Sequence, residues 1–355
     1  MTTRLPILVV LATLATGCGA KGGDAAPAAS ASTKAAAVDP TIDAMARSAS
    51  TCKSYDYGGF DSSCPAYKTW TEAKDAFNEG KADASLVALL SDGDEKIRYL
   101  AAAKLNQYGK AFHTDKTLAQ SVVTAAEKEQ RKFAQKEIAA AAGQIQVRAT
   151  GTFDRVKALV AKRDMPDVRR GILSNLLYNN QDDDAVYDLV RETVKDADGT
   201  VAQAALGSFW AGGGHKPDKT CQVYAENLGN GNDEVAAASC DYLAWSGRCT
   251  SRYDGLLDAL EKRVKAGPVS FTSHVTAARH LCDDTKASDA QRKRAAAFGR
   301  TIAGKKDTKA WIRSSALEAV IHCDLGNGGR SFVGKFKADP EKTVADKAKD
   351  LLAKK

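Results

Sequence analysis

Several signatures of chemistry are missing from this chain of 355 residues, and each absence narrows what it does. There is no GxSxG turn, no HExxH or CxxC pair and no P-loop, which removes the usual patterns for a nucleophile elbow, a zincin, a dithiol redox centre and a nucleotide cradle. Histidine is scarce, at five residues. Beyond the first 15 residues no apolar run approaches the roughly 20 needed to cross a bilayer. A clustered basic stripe is also lacking: the 51 lysines and arginines exceed the 44 acidic residues by a formal +7, but they are mixed with acids along the whole chain. Such charges are solvated helix faces, and no nucleic-acid partner is expected. With 44% hydrophobic and 27% charged residues, the composition is that of a folded globular body.

What the chain has is repetition. In residues 307 to 325, DTKAWIRSSALEAVIHCDL, the side chains of Ile312, Ala316, Leu317, Ala319 and Val320 fall at the three- and four-residue steps of one helical face. Imperfect copies begin at Asp94, Arg131, Met165, Asp198 and Asn232. One branched or aromatic residue marks each copy: Ile97, Phe133, Val168, Val201, Val235, Phe271, Ile312 and Val344. The steps between them, about 32 to 41 residues, lie in the window of stacked-repeat proteins. A further helix precedes each marked one, near 84–90, 118–129, 153–162, 185–195, 222–228, 256–264, 291–302 and 332–336. Asp94, Asp198 and Asn232, three residues before their markers, are expected N-caps, and Gly109, Gly229, Gly247 and Gly326 fall at helix ends. The expected fold is an all-α solenoid of seven or eight antiparallel helix pairs over residues 71–355.

The pattern resembles short HEAT-like repeats, of the kind also found in phycobilisome lyases. The likeness rests on the helix-pair period, the capping Asp or Asn, and an arginine just after the marker at Arg98, Arg169 and Arg313. It departs where Val201 and Val235 are followed by alanine. Tetratricopeptide repeats share the period, but their Trp, Gly, Tyr and Pro signature is missing. The resemblance implies that Arg98, Arg169 and Arg313 pair with acids of the adjoining repeat. They also stand as candidate partner-binding residues bordering the concave surface.

The chain start has a different logic. Arg4, the apolar run from Leu5 to Ala15, and LATGC from Leu14 to Cys18 resemble the signal and lipobox of bacterial lipoprotein precursors, with Ala15 where that family more often has Leu. The run is too short to span a bilayer. The resemblance implies a signal peptide at 1–17, cleavage between Gly17 and Cys18, and a covalent lipid on Cys18 as the only non-protein group. Residues 18–50, rich in Ala, Gly, Ser and Thr, then serve as a flexible tether. Gly19 follows the lipid cysteine, without the Asp that retains some lipoproteins at the inner membrane. The expected location is the outer membrane, at its periplasmic face or the cell surface.

Seven cysteines remain for an oxidising compartment. Cys52 and Cys64 bracket a turn-rich aromatic loop, expected to be a disulfide-closed N-terminal cap at 51–70. Cys221 and Cys240 lie equally far from the turn near residue 230 and are expected to pair, as are Cys249 and Cys282. Cys323 is then unpaired, because equivalent points on stacked helices lie about 8 to 10 Å apart and a disulfide needs about 7 Å or less. A zinc site from His280, Cys282, His322 and Cys323 matches no standard spacing, so no metal is expected. Asp182 to Asp184 suit a helix N-terminus better than a cation site. Gly212, Gly213, Gly214 and His215 read as an inter-repeat connection. The functional expectation is a lipid-anchored, noncatalytic binding or scaffolding protein that holds a protein partner on its repeat surface. The alternatives are a lyase-like or cofactor-handling protein using a Cys or His in the third quarter of the chain, and a structural envelope component. A pocket converging on His280, Cys282, His322 and Cys323 would favour the lyase-like reading, and a broad groove the first.

Overall fold

Helix starts follow the capping chemistry of the sequence. The computed structural model describes residues 37–354 except 57, 213–215, 246 and 324–327, so Gly17, Cys18, Gly213, Gly214, His215 and Gly326 lie outside the described residues. The side chain of Asp94 accepts from the Lys96 backbone N–H, that of Asp198 from Thr200 and that of Asn232 from Glu234. Each satisfies a donor that has no partner within its own helix. The first described helix, α1 (Pro40–Ser50), corrects the expectation of a flexible tether up to residue 50. Asp39 caps it, Pro40 occupies its first turn, and Ile42, Ala46 and Ala49 bury one face. A proline inside the first turn fits the helix because its missing N–H would be unpaired there anyway.

Next come α2 (Pro65–Glu72) and the short α3 (Lys74–Phe77), and then eight antiparallel pairs. They are α4 (Asp83–Leu89) with α5 (Glu95–Tyr108), α6 (Lys116–Lys128) with α7 (Lys132–Gly143), and α8 (Phe153–Ala161) with α9 (Pro166–Asn175). The middle pairs are α10 (Asp184–Thr193) with α11 (Gly199–Gly212), and α12 (Pro217–Glu226) with α13 (Asp233–Trp245). The last are α14 (Tyr253–Ala266) with α15 (Ser273–Asp283), α16 (Asp289–Gly304) with α17 (Ala310–Cys323), and α18 (Gly328–Gly334) with α19 (Lys342–Ala353). Among the described residues no strand is formed, only an isolated bridge from Ser54 to Phe60. The fold is an all-α solenoid of HEAT-like pairs. Its second helices, α5 through α19, stack in one continuous row. The row packs closely: a Cβ on Gly143 would come within 2.3 Å of the Ile172 carbonyl oxygen, and one on Gly171 within 2.6 Å of that of Lys136.

Two markers need moving. The buried residue at the third position of each second helix is the true equivalent, which makes it Ala134 rather than Phe133 and Val275 rather than Phe271. Phe271 lies before its helix. Phe133 is half-buried because it meets Phe60 and Tyr99, at ring-centroid distances of 5.8 and 4.8 Å. Phe60 comes from the loop between Cys52 and Cys64, which are joined by a disulfide. That loop therefore lies across both α5 and α7, a wider cover than the edge of the first repeat alone.

The remaining cysteines correct the expected pairings. Cys221 bonds Cys249, Cys282 bonds Cys323, and Cys240 is the buried free thiol. Equal distance from a turn fixes height along two antiparallel helices but not azimuth. Cys240 faces the interior, whereas Cys221 meets the chain as it leaves α13. For the second pair the register explains the difference. Cys282 is seven residues after Val275 and Cys323 eleven after Ile312, so they are not equivalent points, and their Cα atoms are 4.8 Å apart. Burial pushes the Cys240 thiol up to about 12, leaving it unreactive.

The three repeat arginines are structural. Arg98 holds Glu129 with two bonds of 2.6 and 3.0 Å, Arg169 holds Asp196, and Arg313 holds Asp339 at 2.5 Å. Arg169 Nε also donates to the Val160 carbonyl at the end of α8, and Arg313 Nε to that of Ala303 at the end of α16. The guanidiniums of Arg169 and Arg313 thus sit at the negative ends of their own first helices, Arg98 donates to the Asp92 and Gly93 carbonyls of the turn after α4, and all three reach a carboxylate of the next repeat. That carboxylate accepts in turn from a backbone N–H at the start of the following second helix: Glu129 from Arg131, Asp196 from Asp198 and Asp339 from Glu341. Where the arginine is replaced by Ala202, the corresponding acceptor is the neutral Asn230, which makes the same bond to Asn232. Arg98, Arg169 and Arg313 are consequently not a partner-binding surface, which corrects that expectation. Asp339 is only 8% exposed, so Asp339→Asn, which strands the Arg313 charge, should cost about 3 kcal/mol. Hydrogen exchange should show the loss first in α17 to α19, with α5 and α7 unchanged, as nearest-neighbour stability requires.

Candidate functional site

The C-terminal ends of the second helices carry the largest exposed rings. Tyr178 follows α9, Trp210 lies near the end of α11 and Trp245 ends α13, at 57%, 54% and 52% exposure. Successive repeats bring the last two together. Trp210 and Trp245 stack with centroids 5.2 Å apart, and His280 of α15 stacks on Trp245 at 5.8 Å and 11°.

Beneath the stack lies a half-open cavity of about 250 Å³ between the ends of α11 and α13 and the start of α12. Its walls include Phe209, Trp210, Tyr224, Tyr242, Trp245 and the Cys221–Cys249 disulfide. One hydroxyl in its lining, that of Tyr224, is buried without a hydrogen-bond partner, while that of Thr220 lies against the Tyr187 hydroxyl. Buried polar groups are ordinarily paired. On the outer flank Asp241 Oδ1 lies 3.5 Å from His280 Nε2. Burial raises the Asp241 carboxyl to about 6, opposed by the Arg279 charge. Burial, with Arg279 adding to it, lowers His280, so its ring is neutral at pH 7.

The residues considered for a zinc site do not form one. The sulfurs of Cys282 and Cys323 are bonded to each other, and His322 Nδ1 lies 2.7 Å from Asp283 Oδ1. In the acidic run, Asp183 caps α10 and Asp184 pairs with Lys216 and Lys219, at 2.9 and 3.1 Å. The cavity lies two repeats earlier than the His280, Cys282, His322 and Cys323 group. The signal for it was the recurrence of tryptophan nine or ten residues after two successive markers, Val201 and Val235.

The geometry defines an α-solenoid with an aromatic edge. No family model matches the chain, and no curated protein matches it. Among solved structures it is similar to the complex of CpcE and CpcF of phycocyanin lyase from Nostoc sp. PCC7120, at 15% identity over 76% of this chain and 93% of that one, with a TM-score of 0.36. The expectation of a noncatalytic protein is corrected on this finding, since the protein named there is a lyase. At this level the likeness is one of fold and brings no reaction with it.

The Asp241 carboxyl gives a pH test. Its folded-state value near 6 lies above the unfolded value near 4, so the stability it contributes is full below about pH 4 and is lost as pH rises through 6. Asp241→Asn should therefore stabilise the protein by about 1 to 2 kcal/mol at pH 8, after allowance for partial exposure, and by nothing near pH 4. Urea unfolding at the two pH values measures the difference.

Proposed function

We propose that this is a lipid-anchored protein of the bacterial envelope that binds a protein partner along the edge formed by Trp210, Trp245 and His280. The observation that carries the reading is the stack itself: three rings from three successive repeats, two of them tryptophans more than half exposed. Tryptophan is the residue most enriched at interface hot spots, and an exposed apolar patch rimmed by polar groups marks an interaction site. Among the described residues no helix is long and apolar enough to cross a membrane, and the lipobox-like LATGC ending at Cys18 supplies the attachment. Acyl chains contribute about 0.8 kcal/mol per buried CH2, and two or more of them retain a protein on a bilayer.

A second reading, lyase-like or cofactor-handling, is favoured by the cavity. Aromatic walls, an unpaired hydroxyl and an adjacent carboxyl raised toward neutrality are features of ligand sites. Both readings use the same edge.

The test is made in cells. A benzoylphenylalanine at position 245 should crosslink to a discrete protein band, whereas one at Lys262 on α14 should not. Cys18→Ala should release the chain into the soluble fraction and abolish that band. Equal crosslinking from both positions, or full membrane retention of Cys18→Ala, would count against the reading.

A further inference from the structure

We propose that the cavity under Trp210 and Trp245 binds a small planar ring compound with a hydrogen-bonding oxygen or nitrogen on one edge. The inference deepens the ligand-handling reading and rests on it. Volume sets the size of the occupant. About 250 Å³ is the share of roughly eight liquid waters at about 30 Å³ each, below the usual 300 to 1,000 Å³ of sites for drug-sized ligands. That admits one ring or two fused rings.

Wall chemistry sets the shape. Five aromatic side chains, Phe209, Trp210, Tyr224, Tyr242 and Trp245, line a space with few aliphatic groups, and aromatic faces prefer offset-stacked or edge-on rings over saturated ones. The polar edge of the ligand follows from the unpaired Tyr224 hydroxyl. Tyr224 is 2% exposed, and its hydroxyl has no protein partner. A donor or acceptor on the ligand would pair it and recover what burial costs. Tyr187, whose hydroxyl lies against that of Thr220, packs edge-on against Phe209 at 5.0 Å, which supports the wall from behind. The wall is fixed before a ligand arrives. The Cys221–Cys249 disulfide ties the start of α12 to the chain leaving α13, and a site held in its bound form loses less entropy on binding.

The experiment titrates the full chain with 2-naphthol and with 2-decalol, the saturated compound of the same ring frame and hydroxyl. Calorimetry and tryptophan fluorescence should show one 2-naphthol per chain, bound at least tenfold more tightly than 2-decalol. Trp245→Ala should weaken 2-naphthol at least tenfold. Tyr224→Phe, which keeps the ring and removes one oxygen, should weaken it about three- to tenfold. Trp311→Ala, at an exposed ring on α17, should leave it unchanged. Equal affinity for the two compounds, no binding of either, or binding that ignores both Tyr224→Phe and Trp245→Ala would overturn the proposal. Crosslinking from position 245 reads the outer edge and the titration reads the cavity, so failure of a protein partner and failure of a ring ligand are told apart.

Discussion

The arginine–carboxylate bond between successive repeats is the constraint on which the solenoid depends. A helix pair alone cannot cover its apolar face, so it must be set against the next pair at a fixed height and angle. Alanine-rich faces and close glycine contacts bring the second helices together but tolerate sliding. The guanidinium removes that freedom because it has two kinds of partner at once. Arg169 takes a carbonyl at the end of α8 and the carboxylate of Asp196, and Asp196 itself fixes the start of α11. Burial alone would push the Asp196 carboxyl up, yet the Arg169 bond leaves it below its ordinary value. A planar, bidentate donor suits that double role better than lysine would.

Where the arginine is absent, other devices take over, and those repeats carry the candidate site. Between α11 and α13 the acceptor is neutral Asn230, and the Cys221–Cys249 bond supplies a covalent tie nearby. Further on, Tyr253 donates to Asp284, which also accepts from Lys286, and Cys282 bonds Cys323. The middle of the chain is therefore stitched by sulfur and tyrosine where the arginine after the marker is missing, beside pairs on other helices such as Arg191 with Glu226. The aromatic edge lies in that region, where two tryptophans and a neutral histidine stack over a cavity whose rim is cross-linked.

The periodicity of the sequence carried the fold because the second helices share a short rule, a buried branched residue at the third position and then small residues, with a capping Asp or Asn added at α5, α11 and α13. The rule blurs at α7 and α15. There Ala134 and a shifted Val275 hold the third position, and the larger Phe133 and Phe271 draw the eye instead. Disulfide partners were harder to read. Sequence distance gives height along a helix and leaves azimuth undetermined, so Cys221 was matched with the buried Cys240 rather than with Cys249 beyond the helix end. The site was half legible. Trp210 and Trp245 recur in the sequence, but that their rings touch each other and His280 depends on the rise from one repeat to the next, which no local pattern states. The unpaired hydroxyl of Tyr224 is a property of packing alone.

A double-mutant cycle on Arg169 and Asp196, read by urea unfolding, tests the dependence on inter-repeat pairs most directly. Arg169→Met and Asp196→Leu should each destabilise by about 3 kcal/mol, because either leaves a buried charge alone, and the two together should cost less than their sum by at least 1.5 kcal/mol. Additive effects within about 0.5 kcal/mol would contradict the account, since the two residues would then act independently rather than as the tie between one repeat and the next.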